Sequence, residues 1–428
     1  MGGALTQMVA FSATEIIGGS GFGALVSNSA DVSSGSTVTW NTESYDTSYW
    51  HSLSTNADRF TVGGTISYIR LTAVAIFDNA APAGEFAKNA ASFAGNANLY
   101  SVTANDDYDS INSAFVAVSS GDYFTLSRSM TIKANSCFGI EVISSATKNA
   151  LVQKTATQSF GAAGAAITWN SEVRDTDSFH DNATNNTRLT VPSGVSLVRV
   201  SAGLKDDIAS ANTARQTYIQ LAKSSASPTW DFPGNFVRST IDLATAGYVN
   251  GVSGILAVSS SEYFELMAFG TTTRNAVNGD HTWFQIEEVP SGRAYCLAYK
   301  SASQSVTGGV DTLLLWGAEA ADTHGFHSTA SNTGNFTVPS GQGFTKARIS
   351  FGLVGATTSE LIVEARKNGT RINGMPMQQR TGAGVQFLNA MGAWVDCTDG
   401  DVFTLNCNQA TTQTLPAHSN SWFCIECQ

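Results

Sequence analysis

The chain has 428 residues, 42% of them hydrophobic, which is enough to bury cores and excludes wholesale disorder. Only 13% are charged and the net charge is −11 at pH 7, which excludes a surface of clustered Lys and Arg for phosphate backbones. No apolar run reaches the roughly 18 residues of a membrane-spanning helix, so neither nucleic acid nor a membrane is expected as a partner.

In chain order, one pattern comes three times. Trp40, Asp46, Thr47, His51, Phe60 and Val62 return as Trp169, Asp175, Thr176, His180, Leu189 and Val191, then as Trp316, Asp322, Thr323, His327, Phe336 and Val338. The later members stand 6, 7, 11, 20 and 22 positions after the tryptophan in every copy. A repeat longer than about 50 residues buries its own core, so these are tandem domains and not solenoid units.

Each copy opens on a short strand: Ala150-Leu-Val-Gln-Lys in the second, Ala294-Tyr-Cys-Leu-Ala in the third and, more faintly, Ala4-Leu-Thr-Gln-Met in the first. The first copy then carries a Gly/Ser-rich stretch, residues 18–35, which reads as an insertion and a candidate contact arm. After the Trp element, Thr61-Val-Gly-Gly, Thr190-Val-Pro-Ser-Gly and Thr337-Val-Pro-Ser-Gly run into turns. Strands carrying Arg70, Arg199 and Arg348 follow, with β-branched or aromatic residues at alternate positions. These arginines could face a central axis, pair with Asp122, Glu262 and Asp401, or lie on the solvent face of their own sheets. The copies close on Gly-Asp-Tyr-Phe-Thr-Leu126, Ser-Glu-Tyr-Phe-Glu-Leu266 and Gly-Asp-Val-Phe-Thr-Leu405, each followed by a last strand. Those strands are Cys137-Phe-Gly-Ile-Glu-Val, Trp283-Phe-Gln-Ile-Glu-Glu and Trp422-Phe-Cys-Ile-Glu-Cys. The copies span residues 1–144, 145–290 and 291–428, leaving no stretch for a separate anchor or catalytic domain.

An Asp and a His five residues apart are compatible with part of a charge-relay pair, but no nucleophile recurs beside them. The preferred reading of Trp40, Asp46, His51, Trp169, Asp175, His180, Trp316, Asp322 and His327 is a structural motif. In it the Asp closes a turn and the His packs behind the Trp with one nitrogen bonded. No catalytic residue, cofactor or metal is expected. Single, scattered carboxylates do not supply the six to eight oxygens of calcium. Cys424 and Cys427 lie on a strand, three apart and on opposite faces, so Cys427 reads as a small buried hydrophobe and not as a zinc ligand. The copies differ most between the Arg strand and the closing signature. There Trp230, Phe232 and Asn235 form a candidate sugar-stacking loop, against the plainer reading that the aromatics cap that loop onto the sandwich.

The strand pattern is all-β. In this order, the Trp-x5-Asp-Thr-x3-His element, the Thr-Val-Pro turn, the Arg strand, Gly-Asp-x-Phe-x-Leu and the Phe-rich last strand resemble the C1q/TNF-like jelly roll. The pattern is similar in particular to variants in virion proteins of tailed phages and gene-transfer-agent-like particles, and the likeness covers the whole chain three times. It implies three tandem antiparallel jelly-roll sandwiches and, because such domains trimerise, closure into an intramolecular pseudo-trimer; beads along a fibre are the competing arrangement. It further implies a non-enzymatic virion structural protein on the particle exterior, a bacteriophage capsid decoration or cement protein partnered by the major capsid protein or other virion proteins. The alternative is a head- or tail-fibre receptor-binding protein that recognises host surface polysaccharide.

Overall fold

A computed structural model of the chain describes residues 21–33, 35, 37–77, 82–100, 107–128, 131–207, 215–224, 230–242, 247–355, 361–380 and 386–428. Every regular element among them is a β-strand, and every ladder is antiparallel. No ladder among the described residues joins a strand of one repeat to a strand of another.

Each repeat folds into two principal sheets, and the third adds a two-stranded one, Gln304–Val306 with Gln413–Leu415. In the first, one sheet runs Thr42–Asp46, Gly21–Ser27, Cys137–Ile143, Tyr68–Phe77, Asp107–Asn112, and the other runs Arg59–Thr61, Tyr123–Arg128, Pro82–Lys88, Asn98–Tyr100. The second repeat orders Ser171–Asp175, Asn149–Gln153, Trp283–Glu288, Leu197–Asp207 and Tyr248–Val252 in the same way, and the third Ala318–Asp322, Ala294–Lys300, His418–Cys427, Lys346–Gly355 and Gln386–Met391. First and last strands lie side by side at the centre of a sheet, the jelly-roll arrangement. Even the irregularities repeat. A one-residue bulge falls opposite Leu25/Val26, Leu151/Val152 and Leu297/Ala298, bending the edge strand that carries the motif aspartate.

The cores follow strand parity. Ile69, Leu71, Ala73, Ala75 and Phe77 face a cluster with Trp40, Phe60, Phe86, Phe124 and Phe138. Trp169, Leu189, Phe264 and Phe284 occupy the same places in the second repeat, and Trp316, Phe336, Phe403 and Phe423 in the third. Yet the Arg strands are buried on both faces. Their second face packs on neighbouring repeats: the first repeat touches the second, the second the third, and the third the first.

The opening strand of the first repeat corrects the sequence reading. It is Gly21–Ser27, inside the stretch read as an insertion, and it pairs with the last strand and the motif strand as its counterparts do. Ala24, Leu25 and Val26 are buried in it, so this part of residues 18–35 is core and not a contact arm. The glycines misled. A Cβ on Gly23 would lie 2.1 Å from the Ile140 carbonyl oxygen, so glycine there permits close strand approach and does not mark a loop. Ala4–Met8, which the sequence reading placed in that strand, lie outside the described residues.

Candidate functional site

The repeated Trp–Asp–His element builds one turn three times. Asp322 accepts from the backbone N–H groups of His324, Gly325, Phe326 and His327 at 2.8–3.2 Å. Asp175 does the same for Asp177, Phe179 and His180, and Asp46 for Ser48 and His51. The threonine after each Asp bonds back to the opening strand, at the Gly23, Asn149 and Tyr295 carbonyls. Both ring nitrogens of each histidine are used, where the sequence reading allowed one. Nδ1 meets Glu43, Glu172 or Glu319 at 2.7, 3.0 and 2.8 Å. Nε2 meets the carbonyls of Ala57, Asn186 and Thr333, and these same oxygens accept the backbone N–H of Trp40, Trp169 and Trp316. One carbonyl thus ties Trp to His. Among the described residues, no side-chain nucleophile is bonded to these histidines.

The candidate sugar loop is not brought together as a binding face. Asn235 is fully buried: its side-chain amide N–H donates to the Trp230 carbonyl and its backbone carbonyl accepts the Trp422 indole N–H at 2.5 Å. Phe232 packs on the second repeat's core, and the half-buried Trp230 lies 5.4 Å from the Phe269 ring. The Asn235 Oδ1 is left without a partner, but it is buried, so the residue faces the packing between elements and not an open surface.

Arg70, Arg199 and Arg348 gather between the repeats. Arg70 pairs with Glu141 of its own repeat at 3.4 Å and with Glu287 of the second. Arg199 pairs with Glu287 at 2.9 Å and with Glu426 of the third. Arg348 pairs with Glu426 and with Glu141 of the first, both at 2.7 Å. Six buried charges alternate in sign and close on themselves. Asp122, Glu262 and Asp401 are not their partners; these take Lys88, Lys223 and Lys367 on the outer sheets. The acids were legible in Ile-Glu141, Ile-Glu287 and Ile-Glu426, a carboxylate kept in an otherwise apolar last strand.

Burial disfavours the Glu426 carboxylate, but Arg199, Arg348 and Arg293 outweigh that and hold it at about 2. Glu141 is likewise low, against burial, through Arg348 and Arg70. Burial pulls Arg70 and Arg199 below the ordinary guanidinium value, while Glu141 and Glu426 hold Arg348 above it. Aromatic rings close the sides, Phe115 at 4.8 Å from Arg70 and Trp394 at 4.5 Å from Arg348. A cavity of 320 Å³ lies against the ring, walled by residues of the connectors including Thr147, Pro290 and Arg293. All six cysteines are buried with free thiols, Cys427 within the third repeat's core.

No protein-family profile matches the sequence, and no curated protein matches it. Among solved structures, one from Sulfolobus turreted icosahedral virus is 9% identical over 86% of this chain and 81% of its own, with a TM-score of 0.20. A triple jelly-roll structure from an archaeal virus is 10% identical over 84% and 82%, TM-score 0.20. A peptide-N(4)-(N-acetyl-β-D-glucosaminyl) asparagine amidase is 9% identical over 66% and 96%, TM-score 0.25. At such scores none of these likenesses carries an argument about function.

Proposed function

We propose that the chain is a non-enzymatic virion structural protein, three C1q/TNF-like jelly rolls closed into an intramolecular pseudo-trimer that decorates and cements a phage-type capsid from outside. The observation that carries the reading is the closed ring of Arg70, Arg199 and Arg348 with Glu141, Glu287 and Glu426. A protein that spends three homologous sandwiches on one rigid, threefold-like body suits a trigonal position on a shell, where contact with several subunits adds buried area. The boundaries fall in the connectors, around residues 144 and 290, and the partner is the major capsid protein or another virion protein. The brace-like use of both nitrogens of His51, His180 and His327 favours a scaffold over a catalyst.

Mixing the purified chain with undecorated tailed-phage capsids tests the proposal. Saturable binding that raises the temperature of capsid rupture is expected. A chain that ignores capsids but binds host cells, and loses them when surface polysaccharide is stripped, overturns it in favour of receptor binding.

A further inference from the structure

The charge ring is the same at all three seams between repeats, but the positions beside it are not. Two residues before each ring arginine stand Tyr68, Leu197 and Lys346; one residue before each motif aspartate stand Tyr45, Arg174 and Ala321. Where the first repeat meets the second, the Arg174 guanidinium lies 3.5 Å from the Tyr68 ring centroid. Where the third meets the first, the polarity is reversed, with Lys346 Nζ 3.4 Å from the Tyr45 ring centroid. Where the second meets the third, neither residue is charged: Leu197 and Ala321 pack on an apolar cluster that includes Ile255, Leu297 and Trp422.

A second set of positions differs in size. Trp283 and Trp422 stand opposite glycines of the Arg strands, Gly203 and Gly352. From there they donate their indole N–H to the Asn96 and Asn235 carbonyls of the preceding repeat, at 2.7 and 2.5 Å. A Cβ on either glycine would come within 2.4–2.5 Å of the indole nitrogen. At the remaining seam the pair is Cys137 opposite Val74, and the large residue comes from the other side: Trp394 of the third repeat, bonded to Glu141 at 2.9 Å.

We propose that the three seams are keyed. The faces fit the neighbours they have in this chain, so the repeats close in one cyclic order and not in the reverse one. The ring alone permits any order, since every repeat supplies one Arg and one Glu to it. The flanking pairs do not. A second repeat meeting another second repeat would press the Arg174 guanidinium on Leu197, and in the reverse order the third repeat would precede the second and set Lys346 against Arg174. Moving a cation from an aromatic ring onto an apolar or like-charged group is costly, and such mismatches are how interfaces reject wrong partners.

Substitutions in the full chain test this by rescue. Tyr45→Arg sets two cations across the third–first seam and is expected to lower the unfolding midpoint by roughly 2 °C or more. Adding Lys346→Tyr rebuilds there the pair of the first–second seam and is expected to recover most of that loss. Ala321→Arg, with and without Leu197→Tyr, repeats the design independently at the second–third seam. Should a single variant fail to fold, folding of its double counts as rescue. Harmless single substitutions, or doubles no better than the sum of their singles at both seams, overturn the proposal.

Discussion

At the residue scale, the motif aspartates matter for how many backbone donors each satisfies. Asp322→Ala strips the acceptor from four N–H groups, and a loss of about 1–3 kcal/mol is expected in denaturant unfolding. Each motif histidine is held at both ring nitrogens, Nδ1 by a carboxylate and Nε2 by a backbone carbonyl. The Trp, Asp and His were visible through their threefold spacing. The glutamates that complete the set, Glu43, Glu172 and Glu319, sit three residues after each tryptophan on an exposed edge strand, where a carboxylate looks like ordinary surface. The ring acids have a pH signature. Glu426 is held at about 2 in the folded chain against about 4.3 for an ordinary glutamate. Its contribution is therefore full above about pH 4.3 and is lost as pH falls through about 2. Glu426→Gln should flatten the stability curve in that window by about one proton's worth of slope, read by acid titration of the unfolding free energy.

At the element scale, the Arg strand and last strand carry the architecture because both of their faces are buried. Ile69 and Leu71 point into the sandwich while Arg70 points to the neighbouring repeats, and the same parity places Glu141 between Ile140 and Val142. Sequence alternation showed the strands, but it could not say what covers the polar face, because water and another repeat's charge leave the same pattern. Arg199→Met leaves Glu287 and Glu426 buried with a partner removed, and a cost of about 3–5 kcal/mol is expected in equilibrium unfolding. The Gly21–Ser27 strand was misread for a different reason. Glycine at Gly23 signals a turn in most contexts, whereas here it admits the Ile140 carbonyl. Gly23→Ala should expose that strand, seen as faster hydrogen exchange from Ala24 to Ser27 with little change in the second repeat.

At the scale of the whole molecule, two seams are bridged by chain and the third is held by contacts alone. Those contacts include Arg348 with Glu141, the Tyr45 hydroxyl on the Trp394 carbonyl at 3.1 Å, and Asn373 on Ser27 at 2.9 Å. Leu25, Val74 and Cys137 of the first repeat belong to the same apolar cluster as the third repeat's core. A seam that holds without a bridge implies that the bridges elsewhere are dispensable once the ring has closed. Cutting an engineered protease site at the exposed Ser291–Gly292 connector should therefore leave both fragments co-eluting at the size of the intact chain. Separation on a sizing column would show that the connector, not the packing, keeps the repeats together.

The buried charges have one more consequence, in how the molecule answers to heat. Hydration of ions becomes less favourable on warming, so the penalty for keeping six charges out of water shrinks as temperature rises. The joints between repeats then hold relatively better as the cores approach melting. Calorimetry should record one cooperative peak in place of three, with loosening of the joints, if it is seen at all, on the cold side.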